Sequence, residues 1–303
     1  MSTTLIAVVF ALVLGHLAPG FAAAVRGHAL YSDWLRWLAA RMTVRPAFWR
    51  GRGGILLAVL PPVLLVALVQ FGLRTPLAGV LGLLFALLAL FWAWGPRDLD
   101  ADVAAVVDAG DGDARRIAAA RLAPACAGES AEPGLLVEGV FAGALRRWFG
   151  VLAWFMVLGP AGAVLYRLAA LSAEAEAADA LPEGTRAGAR ELFALLNWPV
   201  AQAMTFSLAL VGNFDTVLGA WRERGGASLR LDHAFLGAAA RASVRSEVAE
   251  EAQEFIEEGV APGNAWAKLG ELPELRDAMS LVWRILLLWL AILALFVVAG
   301  WVS

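Results

Sequence analysis

The chain has 303 residues, of which 60% are hydrophobic and only 17% charged, with a formal net charge of −3. A soluble domain carries about 25% charged residues, and here the charges fall in blocks separated by long uncharged stretches, the pattern of a membrane chain. The net charge excludes a broadly basic nucleic-acid binder, and the single cysteine, Cys126, excludes an intrachain disulfide or a paired-thiol metal site.

In lipid the backbone must satisfy its own hydrogen bonds, so long apolar runs are helices. The first run, 5–24, is interrupted by His16, Pro19 and Gly20, and either spans the membrane or lies on its surface. It lacks the basic start of a signal peptide and is expected to be retained. Runs 54–71 and 76–94 form a helical hairpin around a turn at 72–75. Further spans are expected at 149–165, 192–211 and 281–302. Trp283 and Trp301 lie 18 positions apart in the last of these, about 27 Å along a helix, which suits the two interfaces that Trp prefers. Trp92, Trp94 and Trp148 mark span ends in the same way. The fold class is therefore all-α: one polytopic membrane domain, 1–303, with about six membrane-embedded helices.

Arginines set the orientation. Arg26, Arg36, Arg41, Arg45, Arg50 and Arg52 follow the first run, six more lie in 95–148, and others fall in 215–277. Placing these three segments in the cytoplasm puts both termini and the acidic segment 174–191 on the periplasmic side. The segments 95–148 and 215–277 show helical spacing, with Val244, Val248, Phe255 and Ile256 as a buried stripe, and are expected to form a small cytoplasmic helical cap.

Three places carry polar residues where apolar ones are the rule. Glu138, Arg146, Arg147 and Trp148 lie on one helix entering the membrane, with Gly139 and Gly143 smoothing one face. The arginines either snorkel to headgroups or hold an anionic ligand. Gly159, Pro160 and Gly162 interrupt the fourth span and are expected to kink it, freeing carbonyls near Tyr166 and Arg167. Asn197, Pro199, Gln202, Thr205 and Ser207 sit in the fifth span, which ends at Asn213 and Asp215. No phosphate loop, catalytic triad or metal-ligand spacing is present, the histidines (His16, His28, His233) are scattered, and no motif specifies a cofactor.

Together these stretches resemble the AmpE family of inner-membrane proteins linked to β-lactamase induction. The matching residues are Leu136-Val-Glu-Gly-Val-Phe141 with Arg146-Arg-Trp-Phe149, then Leu158-Gly-Pro-Ala-Gly-Ala-Val-Leu-Tyr-Arg167. The third block is Leu196-Asn-Trp198, followed by Ala209-Leu-Val-Gly-Asn-Phe-Asp215 and Ala220-Trp221. The resemblance implies a location in the bacterial inner membrane and a signalling role in peptidoglycan recycling. It also implies a partnership with the amidase that recycles anhydro-muropeptides; self-association is left open. The family is similar, more distantly, to membrane-bound cobinamide-phosphate synthases, whose acidic and Asn-Asp-Gly signatures are absent after Glu138. A membrane ligase-like enzyme is the alternative reading, and a transporter of cell-wall fragments the third.

The expected ligand site comprises Glu138, Arg146, Arg147, Tyr166, Arg167, Asn197, Asn213 and Asp215. An arginine unpaired in hydrocarbon costs at least about 2.5–3.5 kcal/mol. Asp215 is therefore expected to pair with Arg146 or Arg147, and Glu191 with Arg167, around one cavity between the fourth and fifth spans.

Overall fold

The computed structural model describes residues 29–42, 46–73, 79–94, 98–126, 132–174, 179, 181–228 and 231–299. The run 5–24 and Trp301 lie outside them. The described residues form helices without a strand. In chain order these are α1 (Ala29–Arg41), α2 (Pro46–Arg50), α3 (Gly54–Gly72), α4 (Gly79–Ala93), α5 (Leu99–Val107), α6 (Gly112–Leu122) and α7 (Pro133–Ala144). A π-helical turn, Leu145–Phe149, joins α7 to α8 (Gly150–Leu158). There follow α9 (Pro160–Glu174), α10 (Glu183–Val211), α11 (Phe214–Glu223), α12 (Ala234–Glu257), α13 (Pro262–Lys268) and α14 (Pro273–Val298).

Among the described residues, four helices are long and apolar enough to cross a membrane: Gly54–Gly72, Pro133–Leu158, Glu183–Val211 and Pro273–Phe296. The chain is an all-helical, multi-pass membrane protein. On α3 only 22% of the apolar window is buried within the protein, and Leu64, Leu65, Leu68 and Phe71 are exposed around it. A helix apolar on all sides and uncovered by protein is one solvated by lipid.

Of the run 76–94, the described residues Gly79–Ala93 form the 15-residue α4, about 22 Å long. The run 149–165 is not one kinked helix. Gly159 adopts φ +69°, ψ −153°, a conformation essentially confined to glycine, and Pro160 opens the next helix where its missing N–H costs nothing. The chain doubles back: a Cβ on Gly150 would overlap the Tyr166 ring, although on an unbroken helix these residues would stand about 24 Å apart. Trp94 and Trp148 are correspondingly buried, serving as packing groups rather than interface markers.

Contacts divide the chain into two compact units: 1–96 with 146–197 and 292–303, and 97–145 with 198–291. In the first unit α9 packs against α3, α4 and α8. The amphipathic α1 buries Tyr31, Leu35 and Leu38, one helix face at intervals of four and three. The Trp34 indole donates to the Ala58 carbonyl at 3.0 Å. Tyr31 and Ser172 hydroxyls lie 2.6 Å apart, and burial pushes the Tyr31 phenol up to about 12.

The hairpin also corrects the orientation. Arg52 pairs with Glu191 at 2.9 Å, and the Thr185 hydroxyl donates to the Trp49 carbonyl. The acidic stretch that opens α10 thus lies beside the arginine-rich stretch preceding α3, not across the bilayer from it. Counting 149–165 as one helix misplaces the residues that follow, because the reversal at Gly159 brings the chain back until Glu174 pairs with Arg146.

In the second unit, α5 and α6 are capped by Asp98 and Asp111, whose side chains accept from Asp100 N–H and Ala114 N–H. Helix α7 packs on α12, and α12 on α11. The segments expected to form the cap, 95–148 and 215–277, do contribute helices that pack together. Val244, Val248 and Ala252 form the buried stripe of α12, with Phe255 and Ile256 half-buried. The Trp289 indole donates to the Ser207 hydroxyl at 2.9 Å, an interhelical bond of the kind that joins apolar helices. Cys126 is 3% exposed, and burial reinforced by Glu132 pushes its thiol up.

Candidate functional site

The candidate site lies in the second unit, where α7 and α12 approach closely. On α7 the sequence places Gly134, Glu138 and Ala142 at four-residue intervals; around the start of α12 it places His233, Gly237 and Arg241 at the same intervals. Residues four apart share a helix face, so each segment presents a charged side chain flanked by a small residue. The Glu138 carboxylate meets Arg241 Nε at 3.0 Å. A Cβ on Gly237 would lie 2.9 Å from Glu138 Cγ, and one on Gly134 would lie 3.1 Å from Arg241 Cδ. Glycine at both positions lets the two side chains lie flat against the opposing helix.

Glu138 and Arg241 are 35% and 31% exposed, facing a cavity of about 390 Å³ whose wall includes Arg224, His233, Ala234 and Leu236. That volume falls within the range of small-molecule sites. Two arginines face one glutamate, so the walls are cationic before any charge on His233. The cavity also borders the first turn of the 24-residue α12, whose dipole favours anions, although Asp232 already accepts from Ala234 N–H at 2.9 Å. The arrangement is suited to a carboxylate or phosphate, and arginine's planar fork can hold either in two parallel hydrogen bonds.

The other expected site residues do not join Glu138 in one cavity. In the first unit the Tyr166 hydroxyl donates to Asn197 Oδ1 at 2.6 Å, and both residues are fully buried. Arg167, 5% exposed, donates from Nε to the Ala93 carbonyl at 2.6 Å, a cation closing the C-terminus of α4. Its expected partner Glu191 is the one held by Arg52. Arg146, on the π-helical turn, pairs with Glu174 at 3.1 Å; Arg147 is half-buried beside it. The expected layering, with Arg146 and Tyr166 at opposite depths, fails because the hairpin folds Tyr166 against Gly150.

The carbonyls expected to be freed at the break are not left for a ligand. Gln70 of α3 donates from Nε2 to the Leu158 carbonyl at 3.2 Å and accepts from Ala161 N–H at 3.1 Å, so one side chain satisfies both edges of the interruption.

In the second unit Asn213 caps α11, accepting from Thr216 N–H at 3.1 Å, and Asp215 is an exposed acid in the first turn of that helix, the ordinary place for one. Gln202 is also structural: it accepts from the Trp221 indole at 2.9 Å and donates to the Gly226 carbonyl at 2.7 Å.

Of the expected ligand residues, Glu138 alone reaches the cavity, and Arg224, His233 and Arg241 join it. The repeated four-residue spacing is the signal available for His233 and Arg241; Arg224, nine positions before His233, lies outside it. Comparison with family models, curated proteins and solved structures finds no match, so a functional reading rests on the chain's own residues and geometry.

Proposed function

We propose that this multi-pass membrane protein is a receptor for an anionic ligand, held by Arg241 and Arg224 with Glu138 and His233 in the α7–α12 cavity. The convergence of two arginines on a half-open cavity is the observation that carries the reading. Glu138 occupies Arg241 in the absence of ligand, as an internal carboxylate that an incoming anion displaces. It lies on the helix Pro133–Leu158, which is long enough to cross a membrane, so exchange at Arg241 acts directly on a membrane helix.

The resemblance to AmpE proteins supports a setting for this receptor: the bacterial inner membrane, in the signalling that links peptidoglycan recycling to the β-lactam response. Anhydro-muropeptides carry carboxylates and suit the charge of the cavity, and the amidase that recycles them is the partner proposed on the same ground. Native mass spectrometry of detergent-purified protein, incubated with an anhydro-muropeptide, tests the reading. Binding is expected in the wild type and loss of binding in Arg224→Gln/Arg241→Gln. If purified protein instead turns over ATP or forms an amide, and Glu138→Ala abolishes that turnover, the ligase-like alternative replaces the receptor.

A further inference from the structure

A second cavity, of about 310 Å³, lies in the first unit between α3 and the tip of the α8–α9 hairpin. Val63, Ala67, Phe71, Leu158, Ala161 and Leu165 line it, together with the Gln70 side chain. We infer that this groove binds one acyl chain of a bilayer phospholipid, with Gln70 donating a hydrogen bond to the ester carbonyl at its head.

Depth supports this occupant. Gln70 follows Gly54, the start of α3, by 16 residues, about 24 Å along the helix axis. In a hydrocarbon core roughly 30 Å thick, that places its amide near the boundary away from Arg50 and Arg52, where acyl esters lie. From there the groove runs inward past Ala67 to Val63, which is about 10 Å deeper. Of the lining residues Phe71 and Leu158 are exposed, as are their chain neighbours Leu64, Leu68 and Val157, so the groove opens onto hydrocarbon. Ala67 and Ala161 leave the space that larger residues would close.

Gln70 supplies the polar end. Its amide has two N–H donors and two acceptor sites. Among the described residues it gives one donor to the Leu158 carbonyl and one acceptor site to Ala161 N–H. The remaining N–H matches an ester carbonyl, a group with acceptors and no donor. Holding Gln70 at both edges of the helix break fixes its direction, so the donor is in place before a lipid arrives.

The test uses full-length protein in nanodiscs containing a phospholipid with a diazirine at mid-chain, with cross-links mapped by mass spectrometry. Labelling of Val63, Ala67 and Leu165 is expected to exceed that of the exposed α14 residues Leu287 and Leu295 by about fivefold, the ratio that roughly 1 kcal/mol of preferential packing produces. Ala67→Trp, which fills the groove, is expected to remove that excess and leave α14 labelling unchanged; Val63→Phe serves where Ala67→Trp does not fold. Groove labelling no stronger than on α14 overturns the inference, as does an excess that survives a folded groove-filling variant.

Discussion

The two units treat their polar side chains in opposite ways. In the first, Tyr166, Asn197 and Arg167 are sealed in the interior, and each has a fixed partner at 2.6 Å. In the second, Glu138 and Arg241 form their pair at the edge of a cavity, each about one-third exposed. The first arrangement is costly to disturb and has no route for a ligand. The second is cheap to exchange, because a half-solvated ion pair contributes only about 0–1 kcal/mol. A charged residue in an apolar chain therefore does not by itself mark a binding site; what separates the two cases is whether its partner can be replaced.

The largest effect tests the hairpin on which the first unit is built. Gly150→Leu drives a side chain into the Tyr166 ring, and overpacking of this kind costs about 1–3 kcal/mol or more. Loss of monodisperse protein on size exclusion is expected; a stable variant would mean that α8 and α9 do not lie against each other. The sidedness is tested by labelling, in a Cys126→Ser background because the native thiol is buried. Cysteines replacing Arg36 and Glu183 are expected to react with an impermeant maleimide from the same side of the membrane. Reaction from opposite sides would restore 149–165 as a crossing.

Next in size is Tyr166→Phe. It leaves Asn197 Oδ1 buried without its donor, a loss of about 1–3 kcal/mol, readable as a lower melting temperature in detergent. Anion binding is expected to be unchanged. Arg241→Gln should behave in the opposite way. Stability should fall by no more than about 1 kcal/mol, while affinity for an anionic muropeptide drops roughly tenfold or more, as expected for a hydrogen bond to a charged group. If Tyr166→Phe abolishes binding and Arg241→Gln does not, the roles assigned to the two units are reversed.

The membrane character, the helix-only fold and the packing of 95–148 with 215–277 were legible in the sequence, because apolar runs and the stripe through Val244 and Val248 are local signals. The break at Gly159 and Pro160 was legible as a break, but its angle was not: a kink and a full reversal use the same two residues, and the choice rests on Gln70, 89 positions before Gly159. That single ambiguity propagated into the sidedness of 174–191, the depth of Tyr166 and the expected partners of Arg146 and Arg167. At the candidate site, Glu138 stood out as an acid in an apolar helix. Arg241 did not, since it begins a charged stretch in which any one arginine looks like solvated surface. Only the matched spacing of Gly134–Glu138 and Gly237–Arg241 distinguishes it.

The smallest expected effect lies at Glu247 on α12, and it asks whether a half-buried acid in the second unit can be exchanged as freely as Glu138. Burial raises its carboxyl above the ordinary value of 4.5; Arg284, 3.6 Å away, opposes the shift, and Asp277 and Glu250 add to it. Since the net direction is upward, desolvation outweighs the ion pair and the folded protein holds the proton more tightly than the unfolded chain does. The unfolded chain ionises near the ordinary value, so the stabilising preference is complete below about 4.5 and is lost as pH rises through the folded value. Glu247→Gln keeps the shape and removes the titration. It gives up the Arg284 pair, but Arg284 is 52% exposed, and such a pair contributes about 0–1 kcal/mol. The variant is therefore expected to be at least as stable as the wild type near neutral pH, and its melting temperature should depend less steeply on pH above about 4.5. A wild type that gains stability relative to Glu247→Gln as pH rises would show that Arg284 wins over burial, and that this acid, unlike Glu138, is held by its partner.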